Sequence, residues 1–281
     1  MGGRTVGGMA TLPNPLPKLA TDPSGRSLGL QLPPGRLVDT AYDGPWPEPL
    51  LWYAEKPAAP GSWKALGAPG ARVGLLPVLV DTGAGPGGLD GWVLLPGEAS
   101  YPGDHDGADV LAEYWEEETE DGELAEEIEP FGDEWPGLAP APAALSADPD
   151  TRAAQVADVL AADPDRGVEV AHLALVPARR SADIPAAIGW TGAVNYEADV
   201  ARICAVLRSW EDRFGVRVVA LGPDTLVVSV AAPPATQEQA EAVAAEHFAL
   251  CPDNVLQGEQ DTLAAYAKGL IGAPAWSFWW D

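Results

Sequence analysis

DVARICAVLRSWEDRFGVRVVALGPDTLVVSVAAPPATQEQAEAVAAEHFAL, residues 199–250, changes its hydrophobic period twice, and those changes decide the fold. Over 199–214 the apolar residues Val200, Ile203, Cys204, Leu207, Trp210 and Phe214 recur at helical spacing and share one face. Gly215 follows as a C-terminal stop. The β-branched runs VRVVALG and TLVVSVA then predict two strands, joined through GPD as a hairpin. Thr236 and Gln239 stand three apart, as a capping box requires, and open a second helix over 237–250 that ends before Pro252.

Working outward, VEVAHLALVPA (168–178) reads as a strand and RRSADIPAAIGWTGAVNY as a loop. TLAAYAKGL reads as a short helix and AWSFWWD as a closing aromatic strand. The order strand, helix, strand, strand, helix, helix, strand predicts an α+β domain over 166–281, a ferredoxin-like split βαβ sheet with one added helix. Such a scaffold hosts many activities and selects none.

Upstream the pattern is looser. Residues 1–26 are rich in Gly, Pro and Thr and are expected to form a loose arm, with Met9 an alternative start to Met1. The region 27–140 is expected to be β-rich. SLGLQL, RLVDTAY, PLLWYAE, RVGLLPVLVD and GWVLLPG read as short strands of a small antiparallel sheet, separated by Gly and Pro clusters. Between 104 and 134 the chain turns densely acidic. Val110, Leu111, Tyr114 and Trp115 nevertheless keep helical spacing there, which predicts an amphipathic helix with a charged outer face. Residues 141–165 read as a connector followed by a helix over 151–162, capped by Asp150 or Thr151.

The formal charge is −26, from 42 Asp and Glu against 16 Lys and Arg. That balance argues against nucleic acid, whose phosphates are held by cations, and against anionic membrane surfaces. It favours a basic protein partner. No run of about 18 apolar residues spans a membrane, and the N-terminal stretch lacks the apolar core of a secretory signal. The two cysteines, Cys204 and Cys251, do not suggest a disulfide scaffold. A cytoplasmic location with reduced thiols is expected, and no cofactor is implied.

LRSWEDRFG, DTLVVSVAAPP, AAEHFALCPDNV, the closing WSFWWD and the loop GWTGAVNY resemble the bacterial domain of unknown function 4253 family over about 170–281. The upstream region resembles the N-terminal extension of members from GC-rich genomes. The resemblance carries over no catalytic residues. It implies an association with toxin–immunity neighbourhoods.

The chemistry-bearing letters concentrate in EHFALCPDN, 246–254. His247 and Cys251 are four apart and share a helix face. With Asp253 as a third group they form the candidate nucleophile–base set of a hydrolase-like enzyme, or part of a metal site that needs three or four ligands. Glu246 and His172 are further metal candidates. Each letter also has a structural reading: a histidine at a helix C-terminus, a cysteine packed as a small hydrophobe, and Pro-Asp-Asn as a helix stop. Trp190, Trp279 and Trp280 are candidate binding residues. Trp279 and Trp280 must face opposite sides of a strand. Arg179 and Arg180 form a local basic pair able to bind an anion. DTGAGPGG (81–88) lacks the Lys-Ser/Thr end of a phosphate loop, and DTG (81–83) has no second copy for an aspartic dyad. The leading expectation is therefore a non-enzymatic interaction or immunity-type binding protein. The alternative is an enzyme or metal protein built on His247 and Cys251.

Overall fold

The computed structural model describes residues 13–83, 88–163, 167–258 and 260–281. A mixed seven-stranded sheet runs through its centre. The strands are β1 (Gly35–Val38), β4 (Leu51–Ala54), β5 (Leu75–Asp81), β6 (Ala171–Pro177), β7 (Arg217–Leu221), β8 (Thr225–Ser229) and β9 (Ala275–Trp279). Their order is β1-β4-β6-β5-β7-β8-β9, antiparallel throughout except for the parallel pair β5–β7. A two-residue pair, β2 (Thr40–Ala41) with β3 (Gly44–Pro45), stands apart.

This topology corrects two expectations. The upstream strands do not build a sheet of their own, because β1, β4 and β5 share one sheet with β6–β9. The split βαβ pairing is also not formed: β5, not β8, lies between β6 and β7, and β9 adds beside β8 rather than beside β6. The reason lies in β5. All but one of its seven residues are buried, as befits a central strand covered on both faces.

Alternation along the strands builds two cores. Val78, Val80, Ala174, Val176, Val218 and Val228 face α3 (Gly107–Thr119), α6 (Val200–Phe214), α7 (Gln237–Leu250) and α9 (Leu263–Leu270). Leu75, Leu79, Leu173, Leu175, Val219 and Val227 face α1 (Pro17–Thr21), α2 (Ser62–Ala71) and α4 (Pro149–Ala162). Two short helices, α5 (Ile184–Ile188) and α8 (Asp253–Leu256), complete the set used below.

The predicted helices at 199–214 and 237–250 form within a residue of expectation. Asp199 caps the first, Gly215 closes it at φ 64°, and Thr236 accepts from the Gln239 amide at the start of the second. The acidic helix forms as α3, with Asp106 as its cap and Val110, Leu111, Tyr114 and Trp115 buried. In α4 the cap is Asp148 rather than Asp150 or Thr151. Pro149 occupies the first helical turn, where its missing N–H costs nothing, and Asp148 accepts from Thr151.

Other expectations fail for identifiable reasons. Residues 1–12 lie outside the described residues, but the rest of the expected loose arm is packed: Leu16 and Leu19 of the α1 region are buried. SLGLQL forms no strand, because Gly25 and Gly29 turn the chain at φ 71° and 73°. α2 is unanticipated, since Gly67, Pro69 and Gly70 disguise a helix whose Trp63, Leu66 and Gly70 still face the sheet. A Cβ at Gly70 would lie 2.7 Å from the Leu75 carbonyl oxygen, so only glycine permits that approach. GWVLLPG contributes a single bridge, Leu94 to Trp190. Gly189, at φ 66°, lets this segment close in; a Cβ there would sit 2.1 Å from the Pro96 nitrogen. No described helix is long and apolar enough to cross a membrane.

Candidate functional site

EHFALCPDN runs from the last turns of α7 into α8, directly beside β9, which is an edge strand of the sheet. An edge strand presents alternate backbone groups outward and unpaired. On β9 those are the odd-numbered positions, since Leu226, Val228 and Val230 pair with the other side. The motif meets two of the outward carbonyls and the amide just past the strand. Asn254 Nδ2 donates to the Ser277 carbonyl (2.8 Å), the Cys251 thiol donates to the Trp279 carbonyl (3.0 Å), and Asp253 accepts from the Asp281 amide (3.2 Å). Three side chains of the sequence CPDN thus cap the open edge of the sheet.

His247 lies behind this cap and is fully buried. Its ring sits 4.6 Å from Trp276, 4.9 Å from Phe278 and 5.1 Å from Trp210, centroid to centroid. Nδ1 meets the Tyr266 hydroxyl at 3.0 Å, and that hydroxyl also accepts from Asn254 (3.2 Å). Burial among these rings drives the imidazole pKa down to about 3, so the ring is neutral. Burial likewise pushes the Cys251 thiol up to about 12, the hydrogen bond to Trp279 offsetting only part of the effect. The pair is not without polar neighbours. Its thiol nevertheless points to a backbone carbonyl and not to the histidine, and neither residue reaches solvent. A nucleophile needs a thiolate and access, and both are missing at Cys251.

Glu246 is also fully buried. Arg213 of α6 grips it bidentately, at 2.7 and 2.6 Å. The carboxylate further accepts from the Trp210 indole (2.7 Å) and from the Ala139 amide (2.7 Å), while Arg213 also donates to the Ala139 carbonyl (2.9 Å). Glu246 therefore ties the acidic connector onto α6 and α7. His172, the other metal candidate, donates through Nδ1 to the Ala54 carbonyl (2.8 Å) in the middle of the sheet. Among the described residues, no group of three or more His, Cys, Asp or Glu is placed to hold a metal.

The tryptophans divide by parity. Trp280 is buried against Phe278 and Trp190, with its indole N–H on the Leu250 carbonyl. Trp190 is buried as well and donates to the Gly222 carbonyl (2.7 Å). Both are core residues, which corrects their reading as a binding surface. Trp279 faces the other way and keeps 38% of its surface exposed. Its indole N–H donates to Asp224 (3.3 Å), and the adjoining chain end hydrogen-bonds Asp253. Asp253 in turn acts on Glu118 of α3: that carboxyl is raised above its ordinary value by burial first, then by Asp253 and Glu117. The exposed indole thus adjoins the Asp224 carboxylate. Arg180 pairs with Asp212 and Glu211, and Arg179 and Arg180 line a groove between α2 and α4.

One cluster escaped sequence reading. Ser100 Oγ lies 2.6 Å from His105 Nε2, and Asp199 Oδ2 lies 3.7 Å from the same nitrogen. The acid and the hydroxyl address one ring atom, whereas a triad places them on opposite nitrogens. Asp199 is already engaged as the α6 cap and accepts from the Ser100 amide (3.0 Å). The cluster pins the loop before α3 to the start of α6. Residues 94 positions apart supply no local signal for it.

Residues 172–281 match the family described as Domain of unknown function (DUF4253), and this C-terminal region carries that domain. No curated protein and no solved structure matches the chain. The match takes in Glu246, His247, Cys251, Asn254 and Trp279. It leaves out α2, α3, α4 and the strands β1, β4 and β5.

Proposed function

We propose that this chain is a non-enzymatic binding protein that engages a basic protein partner, in the manner of an immunity protein that blocks a cationic toxin or nuclease. The observation that carries the reading is the surface around Trp279. An indole face exposed beside Asp224, at the chain end whose amide Asp253 binds, offers a cationic side chain both a π surface and carboxylates. The formal charge of −26 steers such a partner from a distance.

Hydrolytic or metal chemistry at His247 and Cys251 has no observation in its favour. Both groups are sealed, and burial keeps the Cys251 thiol protonated.

The test is capture of a partner by the immobilised full-length chain, compared with Trp279→Ala and Asp253→Asn, at rising salt. The expected partner is basic, is released as salt rises, and loses affinity by about tenfold or more with Trp279→Ala, the scale of a hot-spot aromatic. Retention of no partner, or of one indifferent to both salt and Trp279, overturns the proposal.

A further inference from the structure

A cavity of about 560 Å³ opens between α2 and α4, at the end of the sheet where β5 begins. It falls inside the range of about 300–1,000 Å³ for small-molecule sites. Its existence follows from three local facts. Pro77 has no N–H to give, and the parallel pairing of β5 with β7 starts only at Leu79. The facing helix surfaces carry small side chains, Gly67 and Ala68 on α2 and Ala154 on α4. Trp63, Leu76 and Pro77 contribute apolar wall.

The mouth is charged in the opposite sense to the rest of the molecule. Lys64, Arg179, Arg180 and Arg217 line it against three carboxylates, in a chain of formal charge −26. Two of the guanidiniums are held by one largely buried carboxylate: a single Glu211 oxygen lies 3.5 Å from Arg180 and 3.7 Å from Arg217. Those separations exceed hydrogen-bond length. Glu211 is itself anchored by the Ala182 amide (3.0 Å). The closer partners of the two arginines, Asp212 and Asp150, have side chains 68% and 81% exposed. Surface pairs of that kind are worth about 0–1 kcal/mol and give way to a better-enclosed anion.

We infer that this cavity binds a small amphipathic organic anion, its carboxylate, phosphate or sulfonate at Arg180 and Arg217 and its apolar body between Trp63, Pro77 and Ala154. A planar or aliphatic body fits the wall chemistry, and the guanidinium pair supplies directional donors for the headgroup. None of the residues around Trp279 takes part, so the site is independent of the basic-partner surface.

The test uses the full chain with 8-anilinonaphthalene-1-sulfonate and its uncharged analogue N-phenyl-1-naphthylamine, followed by calorimetry and fluorescence. The sulfonate probe is expected to bind at one site and more tightly than the neutral analogue. Arg180→Gln and Arg217→Gln each weaken the sulfonate by about tenfold and leave the neutral probe unchanged. Ala154→Phe, which fills the cavity, weakens both probes. Far-UV circular dichroism checks that each variant is folded. Should Ala154→Phe misfold, the two rim variants and the neutral probe still decide. Absence of sulfonate binding, binding without saturation, or equal binding by the arginine variants overturns the inference. Such a failure leaves the Trp279 reading standing.

Discussion

Replacing Glu246 by Ala is the most searching perturbation of this fold. The carboxylate is fully buried, and its partner Arg213 keeps 14% of its side chain exposed. Truncation leaves the guanidinium without its counter-charge in a site that water barely reaches. It also orphans the Trp210 indole N–H and the Ala139 amide. Breaking a buried pair by removing one partner costs about 3–5 kcal/mol. For a chain of this size each kcal/mol lowers Tm by about 2–4 °C, so a fall of roughly 10 °C is expected. Urea unfolding followed by tryptophan fluorescence reads the loss directly, because Trp210 is one of the partners. Hydrogen exchange adds a local signature: the Ala139 amide should lose protection selectively. The double variant Arg213→Met/Glu246→Leu removes both charges and should recover most of the stability, since apolar replacements of buried pairs are often neutral. A loss below about 1 kcal/mol for Glu246→Ala, or no recovery in the double variant, refutes the assignment of Glu246 as the tie between the connector and the two helices.

Three further outcomes follow from the same geometry. His247 has a folded pKa of about 3, below its ordinary value of 6.5, so the unfolded chain binds the proton first. Stability is therefore full above the unfolded value and lost as pH falls below it, by about 2 kcal/mol from this group between pH 6 and 4.5. His247→Phe should flatten the pH dependence by that amount, and an unchanged slope would show that the ring is not sealed. The thiols of Cys204 and Cys251 are both raised by burial, so neither should react with Ellman's reagent until the chain unfolds; a thiol titrating in the native Cys204→Ala variant contradicts the edge-capping role of Cys251. Finally, Trp280→Ala should cost about 3–5 kcal/mol, as core truncations do, while Trp279→Ala should stay within about 1 kcal/mol. Equal losses in thermal melts would contradict the parity assigned to β9.

Much of the C-terminal half was legible in advance because its signals are local. Asp199 and Thr236 cap the two long helices, Gly215 ends the first, and GPD turns the hairpin. The candidate site was legible in part. The structural reading of EHFALCPDN, with Glu246 and His247 in the last helical turns and Cys251 packed away, follows from helix periodicity. Its purpose does not, because the groups that Cys251, Asp253 and Asn254 satisfy belong to a strand more than 20 residues downstream. Trp279 and Trp280 were separable by strand alternation alone, although only packing shows which of them faces solvent.

Composition, capping and periodicity by themselves determined the helices α6 and α7, the β7–β8 hairpin and the acidity of the surface, since each depends on residues a few positions apart. Tertiary structure alone decided that β5 enters the sheet between β6 and β7, turning an expected split βαβ unit into part of a seven-stranded sheet. Strand pairing is chosen by the burial of apolar surface across long separations. A run such as LLPVLVD announces that it wants both faces covered, but not which neighbours will cover it.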